Sequence, residues 1–190
     1  GAVAVGVFVD KQFAPKIAEG IGKLGAQVLS ADDLKRIGAG LGAAAGFVTA
    51  SCVSAITLSV AGCMTGERRL AIERLPDTTG LRNEVLVQTG HLVGYGASLA
   101  QTITMTGARL VTVGTVSGSQ PYQLDEAITE RTACAVFVVS HMTVQHAMLS
   151  LEACCSICHA KGIPVVVDAA SEYDLRGFLA RGADLVVYSG

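Results

Sequence analysis

The sequence has no tryptophan, and only 5% of its 190 residues are aromatic and 16% are charged. Its 14 basic and 16 acidic residues nearly balance, and no run of Lys and Arg is longer than two. A surface that binds nucleic acid or an anionic membrane needs clustered positive charge, so the sequence argues against both kinds of partner. Because 51% of the residues are hydrophobic, a disordered or acidic-tail protein is also excluded.

Charge is absent from Ile37 to Gly66, a stretch of 30 residues that is long enough to span a bilayer. The stretch contains mainly Gly, Ala, Ser, Thr and Cys rather than long apolar side chains. It divides into a small-residue run, a strand-like piece at 46–49 and a helix-like piece at 55–63. We therefore predict a buried strand, turn and helix here, and no membrane span.

A metal site also lacks support, although there are six cysteines. Cys155 and Cys158 form a C-x-x-C pattern beside His159, but no second ligand pair occurs at a suitable spacing. Residues 150–160 have a helical period, so their cysteines can lie on the buried side of a helix. The sequence predicts free core thiols, no metal, and a reducing, cytoplasmic location.

Short valine-rich runs alternate with amphipathic segments of helical length along most of the chain. Such runs are typical of strands that are buried on both faces. The predicted strands are 47–49, 84–88, 109–113, 133–139, 164–168 and 184–188, and the predicted helices are 55–63, 97–106, 122–129, 150–160 and 172–181. This alternation predicts an α/β fold, a three-layer αβα arrangement with a mainly parallel sheet.

The first 45 residues follow the alternation less clearly. Residues 3–9 have the pattern of a strand, and residues 12–24 and 31–41 have the pattern of helices. We predict two parts: an N-terminal segment with helices at 1–45, and a large α/β domain at 46–190.

In an open parallel sheet, ligands bind beyond the carboxyl ends of the strands. Ser51, Cys52 and Val53 open a helix there and could cradle an anion, although Ser51 could equally be an ordinary helix cap. His91 lies among glycines and small residues and could pack on a flat ligand or be a solvated loop residue. Asp168 ends an apolar strand, where its carboxylate could cap a helix or hold a cationic ring nitrogen or a metal.

Several of these segments resemble one enzyme family in both order and spacing. They are residues 165–170 (VVVDAA) followed by 182–190 (GADLVVYSG), residues 72–80 (IERLPDTTG), the pair Gly90 and His91, and the pair Ser140 and His141. The chain is similar, over about residues 30–190, to fold-type I pyridoxal-phosphate enzymes. Within these it resembles the selenocysteine-synthase-like family, related to L-seryl-tRNA selenium transferases, in the branch of the D-glucosaminate-6-phosphate ammonia-lyases.

The resemblance implies that this domain binds pyridoxal 5′-phosphate, and it implies a role for individual residues. Asp168 matches the aspartate that pairs with the pyridinium nitrogen. His91 matches the position of a ring that stacks on the pyridine, and Ser140 and His141 match residues near the cofactor's phenolic oxygen and the substrate. The residues implied to bind the cofactor phosphate are Ser51, Cys52, Val53 and Ser189.

The chain departs from the family where the lysine that carries the cofactor is expected. In the family, one more residue and then this lysine follow the Ser-Gly that matches Ser189 and Gly190. The lysines of this sequence lie elsewhere, at 11, 16, 23, 35 and 161. The family's C-terminal small domain is also missing, so we expect the sequence to be an incomplete large domain of a longer enzyme.

The resemblance predicts a pyridoxal-phosphate-dependent lyase that eliminates ammonia or a β-substituent from a small anionic amino acid or amino sugar acid. His141 would move a proton near the reacting carbon, and Arg74 and Arg82 could clamp a substrate carboxylate or phosphate or be ordinary surface arginines. A selenocysteine-synthase-type transferase, and a non-catalytic binding protein that lacks the lysine, are the alternatives. Relatives of this fold build each active site at a subunit interface, so a homodimer or a higher homo-oligomer is expected.

Overall fold

The computed structural model describes residues 5–9, 17, 23–24, 27–28, 45–94, 96–169, 172 and 177–189. Its strands are β1 (Val5–Val9), β2 (Gln27–Val28), β3 (Ala45–Thr49), β4 (Glu84–Gln88), β5 (Arg109–Val113), β6 (Thr132–Val138), β7 (Val165–Asp168) and β8 (Leu185–Ser189). Its helices are α1 (Cys52–Thr65), α2 (Arg69–Arg74), α3 (Leu99–Thr104), α4 (Pro121–Ala127), α5 (Leu151–Ala160) and α6 (Gly177–Ala180), and residues Thr89–His91 form a 3₁₀ turn.

All eight of these strands belong to one sheet, in the order β2-β3-β1-β8-β7-β6-β4-β5. Strands β5, β4, β6, β7 and β8 pair in parallel. Strand β1 is antiparallel to both β8 and β3, so β3 runs in the same direction as the parallel strands. The carboxyl end of β3 therefore lies at the same edge of the sheet as the carboxyl ends of β4, β6, β7 and β8.

Apolar side chains cover the sheet on both faces and form two cores. One core lies under α1 and α3, where Val60 and Ile103 meet strand residues such as Val87 and Val136. The other lies under α4, α5 and α6, where Leu124 and Cys158 meet the opposite faces of the same strands. This is the predicted three-layer αβα fold with a mainly parallel sheet, and the prediction is confirmed.

The predicted elements from residue 46 onward agree with the structure within a few residues, with two exceptions. The predicted helix at 172–181 is observed only as Gly177–Ala180: Glu172 is not helical, and residues 173–176 lie outside the described residues. Helix α2 was not predicted, because its six residues are too short to show a helical period.

Among the first 45 residues, the predicted strand at 3–9 is found as β1, and β2 was not predicted. Ile17 and Lys23 are helical, in agreement with the helix predicted at 12–24. Leu24 is in a turn, and the other residues of that helix and the whole helix predicted at 31–41 lie outside the described residues. Because β1 pairs with β3 and β8, this N-terminal strand is part of the same sheet as the large domain.

Helix α1 accounts for part of the uncharged stretch from Ile37 to Gly66. It has 14 residues, and it packs across β1, β8, β7 and β6 inside the molecule. Within the part of the chain that the structure describes, no helix combines the length and the apolar character that crossing a membrane requires.

Candidate active site

The carboxyl edge of the sheet brings together most of the residues that the sequence singled out. Ser51 follows β3, His91 follows β4, Ser140 follows β6, and Asp168 ends β7. These strands run in the same direction, so all four residues lie at one edge. Such an edge is where open α/β sheets bind their ligands.

Ser51 is the N-cap of α1. Its Oγ accepts a hydrogen bond from the N–H of Ser54 at 3.1 Å, and it lies 3.0 Å from the Ser54 hydroxyl. Thr49 Oγ1 donates to the Ser51 carbonyl at 3.0 Å, which holds the turn between β3 and α1. The first N–H groups of a helix have no acceptor within the helix, so the α1 terminus presents amide donors and hydroxyls to an anion.

His91 is buried between β4 and the end of β6, with 1% of its surface exposed. Its Nδ1 accepts a hydrogen bond from the Val138 N–H at 3.2 Å, and its ring meets the Phe137 ring edge-on, with 4.6 Å between centroids. Burial lowers the His91 pKa from its usual 6.5 to about 4. The ring is therefore neutral at pH 7, and because Nδ1 accepts a hydrogen bond, Nε2 carries the proton.

Asp168 lies on the other side of the same β6 residue. It is 4% exposed, it is the register partner of Val138, and its carbonyl accepts from the Val139 N–H at 2.8 Å. His91 and Asp168 thus flank the end of β6, each about one strand spacing of ~5 Å from it. Asp168 is therefore a buried acidic residue at the carboxyl edge of the sheet.

Ser140 and His141 begin the loop after β6. Ser140 is buried, and its Oγ accepts from the Met142 N–H at 3.1 Å. Its carbonyl accepts from Thr143 Oγ1 at 2.7 Å and from Gln145 Nε2 at 3.0 Å, which closes a tight turn. His141, within this turn, is exposed. Ser189, the last residue of β8, pairs with Val5 in register.

Gln88 is a residue of this edge that the sequence analysis missed. It ends β4, is 3% exposed, and both atoms of its amide are hydrogen bonded. A glutamine at the end of an apolar run was the available signal, but nothing in the sequence indicates its partners, which are 31 and 61 residues away.

Arg74 and Arg82, the predicted substrate residues, lie at the opposite edge of the sheet. They flank the loop before β4, where Asn83 N–H donates to the Arg131 carbonyl at 2.9 Å, next to the start of β6. Arg74 is paired with Asp77 at 2.5 Å, and Arg82 is exposed. The five residues of β4 span about 16 Å, so neither arginine meets a small ligand at the carboxyl edge of its own chain.

The two lysines within the described residues are also remote from this edge. Lys161 follows α5 and binds the Asp125 carboxylate at 2.7 Å. Lys23 Nζ donates to the carbonyl of Glu67, just beyond the end of α1, at 3.1 Å.

The donors at the carboxyl edge fit pyridoxal phosphate in their chemistry. The α1 terminus supplies amides and hydroxyls for a phosphate, Asp168 supplies a buried carboxyl group of the kind that pairs with a protonated ring nitrogen, and His91 supplies a neutral ring on the other side of β6. Nothing in this donor set favours a metal instead, and no group of three His, Cys, Asp or Glu within the described residues could hold one.

The six cysteines are all free, and burial raises the pKa of Cys155 to about 12, so its thiol is unreactive at pH 7.

Comparison with known proteins identifies similar enzymes. No protein-family model matches the chain. The D-glucosaminate-6-phosphate ammonia lyase of Salmonella typhimurium is 40% identical over 149 residues, which are 78% of this chain and 40% of the relative. A 5′-C-glycyluridine monooxygenase-decarboxylase of a Streptomyces species is 42% identical over 137 residues, 71% of this chain and 34% of the relative. An L-seryl-tRNA(Sec) selenium transferase of Clostridium perfringens is 29% identical over 153 residues, 71% of this chain and 33% of the relative.

The fold leads to the same family. A solved structure of D-glucosaminate-6-phosphate ammonia-lyase matches with a TM-score of 0.79 and 35% identity, covering 93% of this chain and 49% of that one. The chain spans between a third and a half of the length of these relatives. Over the third to a half of these relatives that it spans, the chain resembles the selenocysteine-synthase-like enzymes, with the D-glucosaminate-6-phosphate ammonia lyase and the glycyluridine enzyme at nearly equal identity.

Proposed function

We propose that the protein is a pyridoxal-phosphate-dependent lyase that releases ammonia from a small anionic amino sugar acid or amino acid. One observation carries the proposal: in a chain 40% identical to an ammonia lyase, a buried aspartate and a helix N-terminus share the ligand-binding edge of the sheet. Pyridoxal phosphate, when bound, supplies the electron sink that stabilises negative charge at the substrate's α-carbon.

Each residue of the edge then has a defined task. Ser51 and the amides of Cys52 and Val53 bind the phosphate, and Ser189 lies where a further phosphate contact is expected. The Asp168 carboxylate holds a proton on the ring nitrogen, which keeps the ring electron-poor. His91, neutral and fixed by Val138, packs against the ring and cannot compete as a base, because its pKa lies well below 7.

His141 is the proposed proton carrier. It is exposed in the turn after β6, whereas the buried Ser140 beside it fixes that turn through three hydrogen bonds to its carbonyl and hydroxyl. An exposed imidazole on a hydrogen-bonded turn is suited to taking a proton from the α-carbon and delivering it to a leaving group.

The charge distribution supports a small substrate rather than a tRNA. Four of the exposed arginines near the amino edge are paired with carboxylates: Arg69 with Glu73, Arg74 with Asp77, and Arg109 and Arg131 with Glu84. Binding to tRNA draws on unpaired cations, which this part of the surface has few of. We propose that no nucleic acid is needed, and that the protein acts in the reducing cytoplasm as a homodimer or higher homo-oligomer.

The reaction itself needs a direct test, because two relatives of nearly equal identity carry different activities in their names. The purified protein, translated from the complete gene, is supplied with pyridoxal phosphate and assayed for ammonia, keto product and carbon dioxide. The substrates are D-glucosaminate 6-phosphate, serine, cysteine, 5′-C-glycyluridine and seryl-tRNA.

Ammonia and a keto product from D-glucosaminate 6-phosphate or a small amino acid are the expected result. Conversion of seryl-tRNA alone to selenocysteinyl-tRNA, when an activated selenium donor is added, would show selenium-transferase chemistry, and carbon dioxide from glycyluridine alone would show the decarboxylase reaction. The codons after Gly190 provide a second check: a lysine two residues on is expected, and a gene that encodes none would favour a non-catalytic binding protein.

A further inference from the structure

Three loops leave the carboxyl edge side by side: the β4 turn (89–91), the β5 loop (114–119) and the β6 loop (139–149). The β6 loop carries Ser140 and His141. Its first residues continue directly from β6, but its far end, at Leu149, is far from any strand in sequence. The contacts at that end hold the second half of the loop, which includes Val144, whose N–H donates to the Gly90 carbonyl of the β4 turn at 3.1 Å.

The side-chain amide of Gln88 binds the end of the β6 loop at Leu149. Gln88 Oε1 accepts from the Leu149 N–H at 2.8 Å and from the hydroxyl of Ser119, and Gln88 Nε2 donates to the Leu149 carbonyl at 3.3 Å. Both backbone groups of Leu149 are therefore bound to one side chain, which also fastens the β5 loop through Ser119. Gln88 is 3% exposed and Ser119 is 3% exposed, so water cannot replace these bonds.

The loops also touch through their backbones. The Gly90 carbonyl accepts from the Val144 N–H at 3.1 Å, and a Cβ on Gly90 would lie 3.1 Å from the Val116 carbonyl oxygen. Ala147 has a φ of 60°, a left-handed conformation that costs free energy for a residue other than glycine, and its carbonyl accepts from the Ser119 N–H at 3.0 Å. Strain of this kind persists only where neighbouring bonds hold it.

We propose that Gln88 is the positioning residue of this site: by binding Leu149 and Ser119 it sets the β6 loop, and with it Ser140 and His141, against the His91 turn. The proposal rests on the proposed function for its effect on turnover. The structural part of the proposal does not depend on that function, because Gln88 contacts Leu149 and Ser119 whichever substrate the protein binds.

The test replaces Gln88 with methionine, which has a similar volume and no hydrogen-bonding amide, in the full-length protein. We expect amide hydrogen exchange in residues 141–149 to accelerate by about tenfold or more, because buried hydrogen bonds are lost. With the substrate that the wild type turns over, kcat should fall while KM changes little, since His141 is misplaced but the phosphate-binding turn at Ser51 is intact. Gln88→Glu keeps the oxygen that accepts from Leu149, so it should retain part of the protection.

Glu84→Gln is the matched control, because Glu84 is a buried polar residue at the opposite end of the same strand, bound by Arg109 and Thr129. It should lower stability without affecting exchange at 141–149. If Gln88→Met fails to fold, Ser119→Ala removes only the hydrogen bond from the Ser119 hydroxyl to Gln88 and destabilises the protein less. It should also accelerate amide hydrogen exchange in residues 141–149. Unchanged exchange in the Gln88 or Ser119 variant, or equal loop exchange in the Glu84 control, would overturn the proposal. Altered exchange in a protein that binds no pyridoxal phosphate would overturn the proposed function instead.

Discussion

Asp168 and Asp184 are both buried carboxylates, at 4% and 2% exposure, yet they lie at opposite edges of the sheet. Asp184 precedes β8 and accepts from the Val165 N–H at 2.7 Å and from His159 Nε2 at 2.8 Å. Its role is structural, because it joins β7, β8 and α5. Asp168 lies at the edge where ligands bind, so the two residues allow a controlled comparison of electronic and structural roles.

We expect Asp168→Asn to lower activity by about a hundredfold or more while most of the bound cofactor is retained, because an amide cannot stabilise a proton on the ring nitrogen when carbanion charge develops. Absorbance of the bound cofactor and the initial rate measure the two effects separately. Asp184→Asn should instead lower the unfolding midpoint. A fully active Asp168→Asn enzyme would show that this carboxylate is only structural.

His91 should make stability depend on pH. Its pKa is about 4 in the folded protein and about 6.5 when unfolded, so as the pH falls below about 6.5 the unfolded chain binds a proton that the folded chain does not. Stability is fully present above pH 6.5 and declines towards pH 4, by about 3 kcal/mol in total.

Urea unfolding at several pH values between 7 and 4 measures this decline. His91→Asn is the matched variant, since the Asn oxygen can accept from the Val138 N–H but does not titrate. The difference between wild type and variant isolates His91 from the other histidines. Parallel pH curves for the two proteins would show that His91 has the same pKa in the folded and the unfolded chain.

At the scale of elements, α1 and α3 begin in the same way but differ in what they face. Ser51 Oγ accepts from the N–H three residues on at 3.1 Å, and Ser98 Oγ does so at 3.0 Å. Helix α1 is 14 residues long and crosses four strands, whereas α3 has six residues. The same cap therefore begins the helix at the proposed phosphate site and a short helix away from that site.

Alanine substitution separates these two uses of a cap. Both Ser51→Ala and Ser98→Ala should destabilise the protein by about 1 kcal/mol, since each removes a capping bond. Only Ser51→Ala should also weaken the binding of pyridoxal phosphate and of inorganic phosphate as a competitor, which a binding titration measures. Equal cofactor affinity in the two variants would mean that α1 contributes no phosphate contact.

At the scale of the whole molecule, the positions of Arg74 and Arg82 raise the question of whether two subunits share an active site. They lie about one strand length from Asp168, so any role in substrate binding requires that they serve the site of a neighbouring subunit. Mixing two inactive variants tests this.

If the protein is a dimer with shared sites, Asp168→Asn and Arg74→Ala subunits that are unfolded and refolded together should recover up to about a quarter of wild-type activity, because half of the dimers are hybrids with one intact site. Arg69→Ala, an exposed arginine paired with Glu73, serves as the control and should be active by itself. No recovery on mixing, or an active monomer in light scattering, would remove Arg74 from the site.

Much of the fold follows from local sequence. Valine-rich strands such as β6 and β7 are apolar on both faces, and a sheet with two apolar faces has to be covered by helices on both sides. The residues that follow such strands, among them Ser51, His91, Ser140 and Asp168, could be chosen because parallel strands end at a common edge. Their roles stay predictions, whereas the αβα fold and the family resemblance are confirmed.

The tertiary structure decided what depends on pairing between distant segments. Strand order placed β1 between β3 and β8, and no local pattern encodes that position, because hydrogen bonds between strands are made by backbone that is alike in every residue. The hydrogen bonds of the Gln88 amide likewise depend on Leu149 and Ser119, which are distant in sequence. The distance between Arg74 and Asp168 is set by the length of β4, which also follows only from the folded structure. Sequence alone determined which residues lie at strand ends, since burial and period are local properties; which of those residues touch was decided by long-range packing.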